Sequence, residues 1–100
     1  MLLIAGTITL DPRKIDEAME AAVTMMKATH EEPGNIEYVF SVDPIREGIV
    51  HVFEKWDGEE SLAAHFGARH MAEFQAKVPS LGITGMDIRK YEIASEGPIA

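Results

Sequence analysis

The sequence predicts an α+β domain of strand-helix-strand-strand-helix-strand order, and three observations carry that prediction. Four stretches alternate apolar and polar residues with the period of a strand. Two longer stretches repeat apolar residues at the three-and-four spacing of a helix. Proline, glycine and aspartate cluster at the joints between them.

Leu2 to Leu10 is the first strand, with Ile4, Gly6, Ile8 and Leu10 on one face and Leu3, Ala5, Thr7 and Thr9 on the other. Gly6 leaves space above the sheet or marks a bulge. Asp11-Pro12 starts a helix, with Asp11 as N-cap and proline at the first helical position. Ile15, Ala18, Met19, Ala22, Val23 and Met26 form its apolar stripe, and Pro33-Gly34 ends it. Asn35 to Asp43 is the second strand and Ile49 to Trp56 the third. The loop from Pro44 to Gly48 is short, so these two strands are antiparallel.

Asp57 and Glu60 read as a capping box for a second helix. That helix carries Leu62, Ala63 and Phe66, then Met71, Phe74 and Val78 beyond a break near Gly67, and Pro79 stops it. Residues 81 to 85 read as a loop, and Met86 to Ile93 as a fourth, weaker strand. Ser95 to Ala100 reads as a loose tail. No repeat or internal linker divides residues 1 to 100, which are expected to form one domain.

This order fits the ferredoxin-like βαββαβ motif, a four-stranded antiparallel sheet with its helices on one face. The second and third strands carry large apolar residues on both faces, so the uncovered face needs a cover. A second copy of the chain is the simplest one, which predicts a homodimer.

Composition narrows the functions. The chain has 100 residues, 46% hydrophobic and 26% charged, with no cysteine and a net charge of −8. The missing cysteines exclude disulfides, thiolate metal sites and cysteine nucleophiles, and make a cytoplasmic location the simple expectation. The acidic balance argues against nucleic acid and anionic membrane as partners. The apolar start lacks a basic flank and ends within ten residues, unlike a signal peptide or membrane span. No GxGxxG, GxxxxGK[ST] or serine elbow is present, so no nucleotide cofactor is expected. No HxH or HExxH spacing occurs either, so no metal site is expected.

Four segments in order bear a family resemblance: Glu32-Pro33-Gly34-Asn35-Ile36-Glu37-Tyr38, Phe53-Glu54-Lys55-Trp56, Leu62-Ala63-Ala64-His65-Phe66 and His70-Met71-Ala72-Glu73-Phe74. Together they resemble the antibiotic biosynthesis monooxygenase domain over nearly the whole chain. The resemblance implies a dimeric α/β barrel and a cofactor-independent monooxygenase acting on a quinol, anthrone or similar small aromatic. Haem-degrading relatives typically carry tryptophan where this chain has His65, which argues against haem.

The candidate catalytic residues are His65, Asn35 and Glu54, and each has a plainer reading. His65 is a residue type suited to proton transfer from a hydroxyl near neutral pH, or is simply a half-exposed helix histidine. Asn35 is either an amide donor to a substrate oxyanion or a turn residue serving local backbone. Glu54, in mid-strand, must be paired or neutral if buried, with His65 or Arg89 as partner. It would then orient His65, or form a structural ion pair at the dimer interface. Tyr38, Phe40, His51, Phe53 and Trp56 are the candidate substrate-binding walls, with core packing as the alternative for Phe40 and Trp56. His70 lies about 140° from His65 on a continuous helix, so the two meet only across the break.

Two other readings stay open. An isomerase on this scaffold would use His65 and His51 as acid and base, with two of Lys55, Arg69 and Arg89 pointing inward for a phosphate. A non-catalytic binding module would have its pocket filled by its own side chains.

Overall fold

The computed structural model describes residues 1–100. Its elements are β1 (Leu2–Leu10), α1 (Ile15–Thr29), β2 (Asn35–Val42), β3 (Ile49–Trp56), α2 (Glu59–Phe66), α3 (Arg69–Lys77) and β4 (Ile83–Glu92). The strands form one antiparallel sheet of order β2-β3-β1-β4, the ferredoxin-like α+β arrangement. Single 3-10 turns at Pro12–Lys14 and Val78–Ser80 lead into α1 and out of α3.

Asp11 caps the first turn as expected, its carboxylate accepting from the Arg13 backbone N–H at 3.0 Å. The expected capping box at α2 does not form. Gly58 takes the N-cap position, and the Asp57 carboxylate is held instead by the Ser61 hydroxyl. β4 begins at Ile83, inside the stretch read as loop. Its backbone pairs with β1 up to Leu10 through a register shift, which needs no apolar pattern. Gly6 marks a close approach: a Cβ there would run into the backbone oxygen of Asp87 on β4.

The core lies between the sheet and the helices. Leu2, Ile4, Ile8 and Leu10 of β1 pack with Tyr38 and Phe40 of β2, Val50, Val52 and Trp56 of β3, Ala22 and Met25 of α1, and Leu62 of α2. On α1 the buried line runs through Ala22, Met25 and Thr29, while Val23, expected inside, is exposed. A slightly different helix rotation accounts for the exchange of Val23 for Met25. α3 has no fully buried residue, so it is the helix least anchored to the core.

The opposite sheet face bears no element of this chain. Strand alternation puts Leu3, Ala5, Val39, His51, Phe53, Lys55, Arg89 and Tyr91 there. The last residues cross its edge: Glu96 pairs with Lys55, and the Ile93 N–H donates to the Met1 carbonyl at 3.0 Å.

The β2–β3 hairpin is tied by Asp43. Its carboxylate accepts from the backbone N–H groups of Arg46 (2.8 Å) and Ile45 (2.9 Å), from the Arg46 guanidinium and from His51 Nε2 (2.8 Å). These donors, the Arg46 backbone first, hold its carboxyl well below the usual carboxylate range. The folded group is thus more acidic than the unfolded one. Its stabilising effect is present at neutral pH and lost as pH falls through about 4 and below. In thermal unfolding, Asp43→Asn should lower Tm at pH 7, and the gap to the parent chain should narrow progressively as pH falls below about 4. A gap that stays constant with pH would contradict this.

Candidate functional site

The site is a box of polar and aromatic side chains at one end of the core. Strand alternation brings Tyr38 of β2 and Glu54 and Trp56 of β3 to the helix-facing side. His65, on the inner side of α2, lies over them and is 1% exposed. Its ring centroid is 4.9 Å from that of Trp56 and 5.2 Å from that of Tyr38. Phe40 follows on the same face, 5.3 Å from Tyr38.

Glu32 enters from the turn after α1. Its backbone N–H donates to Thr29 at 2.9 Å, and the chain then passes through Gly34 at φ +87°. Only glycine fits there, since the left-handed backbone disfavours a side chain and a Cβ would meet Ser61 Oγ. The Asp57 N–H donates to the Gly34 carbonyl at 2.9 Å, so the turn is locked against the entry to α2. Glu32 Oε2 is thereby placed 2.7 Å from His65 Nδ1.

The break after α2 supplies His70. Gly67 and Ala68 close the last turn with bonds to Ala64 and His65, and extended backbone at Ala68 starts α3 in a new direction. This brings His70 Nε2 to 2.7 Å from the same Glu32 oxygen. One carboxylate therefore accepts from two imidazoles, and their three ligand-type atoms lie within 4.8 Å of one another. With Nδ1 donating, a neutral His65 ring carries its lone pair on Nε2. Nε2 is buried and has no hydrogen-bond partner.

Glu54 is also buried, and its partner is neither His65 nor Arg89. Trp56 Nε1 donates to Glu54 Oε1 at 2.9 Å. Burial pushes the Glu54 carboxyl up, opposed by the Trp56 bond and by His65. Burial, and then the nearby Glu54 and Glu32, push the Tyr38 phenol far above its ordinary range, so Tyr38 stays protonated. The Thr29 hydroxyl is buried beside it without a well-formed hydrogen bond.

Of the residues singled out in the sequence, His65, Glu54, Tyr38, Phe40 and Trp56 gather here. His51 and Phe53 do not. They alternate with Val52, Glu54 and Trp56 and so lie on the opposite sheet face, where His51 bonds Asp43. Asn35 donates from Nδ2 to the Glu37 carbonyl at 3.0 Å, within its own strand entry. Lys55 and Arg89 face the other side and Arg69 is solvent-exposed, so none of the three offers a phosphate contact in the box. Sequence reading assigned no role to Glu32, although the residue opened the first segment of the family resemblance.

Two cavities adjoin the box. The interior recess lined by Ile8, Phe40, Val50 and Phe74 has a volume of only about 20 Å³, far below the ~150 Å³ of a cavity that takes a benzene ring. An open groove of about 280 Å³ runs between α2 and β4, lined by Ile4, Leu62, Ala63, Phe66, Ile88 and Lys90. Its floor residue Ile4 is the cross-strand neighbour of Glu54. The ion pair from Lys90 to Glu59, at 2.8 Å, joins its two walls.

The profile of the antibiotic biosynthesis monooxygenase family matches residues 1–77. An uncharacterised protein of Synechocystis is 31% identical over 93% of this chain, and the chain spans 63% of that protein's length. A putative monooxygenase of Bacillus subtilis, YcnE, is 24% identical, with 94% of this chain and 99% of YcnE covered. Among solved structures, a putative antibiotic biosynthesis monooxygenase from Deinococcus radiodurans superposes with a TM-score of 0.91. It is 22% identical, over 100% of this chain and 99% of that one. With the profile spanning β1 to α3 and with it the box residues from Glu32 to His70, the chain belongs to the antibiotic biosynthesis monooxygenase family.

Proposed function

We propose that the chain is a monooxygenase that takes a proton from a small hydroxylated aromatic, such as a quinol or anthrone, and passes the electron-rich anion to dioxygen. The observation that carries this is His65, with Nδ1 fixed on Glu32 and an unpartnered Nε2 on a ring buried against Tyr38 and Trp56. A fixed tautomer with a free lone pair is the arrangement a general base needs. The anion forms a carbon–oxygen bond with dioxygen. The O–O bond of that peroxide then breaks as the same carbon loses its hydrogen, so one oxygen atom stays on the substrate and the other leaves as water. The substrate gives up two hydrogens and supplies all four electrons, so no organic cofactor is required.

The groove between α2 and β4 has the size for one such ring, with a mostly apolar lining that also carries the charged Glu59, Arg89 and Lys90. His65 is closed off from solvent, so a bound substrate reaches Nε2 only when α2 or the weakly anchored α3 shifts. Oxygen uptake by metal-free protein on a panel of quinols and anthrones is the test. Turnover on at least one is expected. No turnover on any would favour the second reading, a non-catalytic binding module, which the filled interior recess supports.

The working form on this reading is a homodimer joined through the open sheet face, where Val39, Phe53 and Tyr91 are 38%, 42% and 49% exposed. Light scattering should give twice the chain mass, and Phe53→Glu should give monomers. A parent chain that is already monomeric at micromolar concentration would remove the proposal.

A further inference from the structure

We propose that Glu32, His65 and His70 form a binding site for a divalent transition-metal ion of the Zn²⁺, Co²⁺ or Ni²⁺ class. The claim is independent of the oxygenation reading, since it concerns the three ligand atoms and not the substrate.

Two imidazole nitrogens and one carboxylate oxygen are a donor set that suits these ions. The atoms already converge: Glu32 Oε2 is 2.7 Å from His65 Nδ1 and 2.7 Å from His70 Nε2, and all three lie within 4.8 Å of one another. Around a tetrahedral ion, ligands at 2.0–2.2 Å sit about 3.4 Å apart. A modest outward shift of Glu32 therefore opens the centre, and a turn residue can make that shift more easily than a helix residue. No lysine or arginine pairs with Glu32; its side-chain partners are the two imidazoles alone. His70 is 22% exposed on its side chain and Glu32 13%, so the site has an entry, while His65 closes its floor at 1%.

Binding shifts two protons. In each neutral ring the hydrogen that now points at Glu32 moves to the other nitrogen, from Nδ1 to Nε2 in His65 and from Nε2 to Nδ1 in His70, with no net proton lost, and the ion takes the two lone pairs so freed. The proton of a neutral His65 ring then resides on Nε2, which becomes a donor. Occupation by metal and action of His65 as a base are therefore mutually exclusive, and the ion acts as an inhibitor of metal-free turnover. Three protein ligands leave a further position for water or another small ligand.

The full chain, stripped with a chelator, is titrated with Co²⁺ by visible absorption and with Zn²⁺ by calorimetry. One ion per chain is expected, with the absorption of a low-coordinate Co²⁺ centre that Zn²⁺ displaces and Mg²⁺ does not. His70→Ala should weaken binding at least about a hundredfold, since loss of outer partners alone costs about 10–100-fold. Glu32→Gln, which keeps the side chain's size and its capacity to accept a hydrogen bond, should also weaken it. His51→Ala, on the opposite sheet face, should leave it unchanged. The proposal is overturned by the absence of binding, by binding that survives His70→Ala and Glu32→Gln, or by equal loss in His51→Ala. Because the titration reads the ion alone, a failure to oxygenate any aromatic leaves its result intact.

Discussion

His65→Gln should lower oxygenation of the best quinol or anthrone by about 10²–10⁴-fold, the range contributed by a positioned general base. Glutamine has no basic lone pair on nitrogen, yet it fits the space and can still donate to Glu32. The loss should therefore appear in kcat/KM with folding retained, as judged by circular dichroism. Glu32→Gln should lose less, because it loosens the ring and its tautomer without removing the base. Asn35→Ala should change activity little, since the amide already serves the Glu37 carbonyl. Equal activity in His65→Gln and the parent chain would move the chemistry elsewhere in the fold.

The second large effect falls on stability. Trp56 is fully buried, packs against Tyr38 and His65, and donates its indole N–H to Glu54. Trp56→Ala should cost about 3–5 kcal/mol from lost burial and the cavity left behind. It also strands the Glu54 oxygen, at about 1–3 kcal/mol for a buried acceptor without a donor. A domain of this size has roughly 5–15 kcal/mol in all, so the variant should be largely unfolded at 37 °C. Trp56→Phe keeps the ring but loses the donor, and should show chiefly the smaller cost. Urea unfolding at pH 7 separates the two. A loss below about 1 kcal/mol in Trp56→Ala would mean that the box is not part of the cooperative core.

Much of this fold was legible because apolar period and turn residues agree from β1 to β3. Where they disagreed, backbone decided. Ile83 to Gly85 looks like loop because of its flanking glycines, yet an edge strand is held by main-chain bonds to β1. Asp57 read as a cap for the backbone of α2, but its carboxylate is held by the Ser61 hydroxyl and Gly58 takes the cap position. For the site, alternation sufficed to group Tyr38 with Phe40 and Glu54 with Trp56. It could not tell which face of β3 looks inward, since Phe53 and Trp56 are both large and apolar, and so His51 and Phe53 were drawn in with the wrong set. The break at Gly67 was readable, and with it the chance that His65 and His70 converge. What they converge on was not. Glu32 lies 33 positions before His65, in a turn without periodicity, and no local pattern announces it.

β1 lies inside the sheet and pairs with both β3 and β4, so that Leu2 faces Trp56 on one side and Glu92 on the other. This interior strand thus precedes both of its partners, which follow it only after α1 and β2, and after α2 and α3. Contacts this distant in sequence carry a loop-closure entropy that must be met before any burial rewards it. Such a topology is expected to fold more slowly than a helical bundle of the same size. The core strand spends that interval as an unpaired apolar segment, the stage at which the folding chain is most open to association with its neighbours.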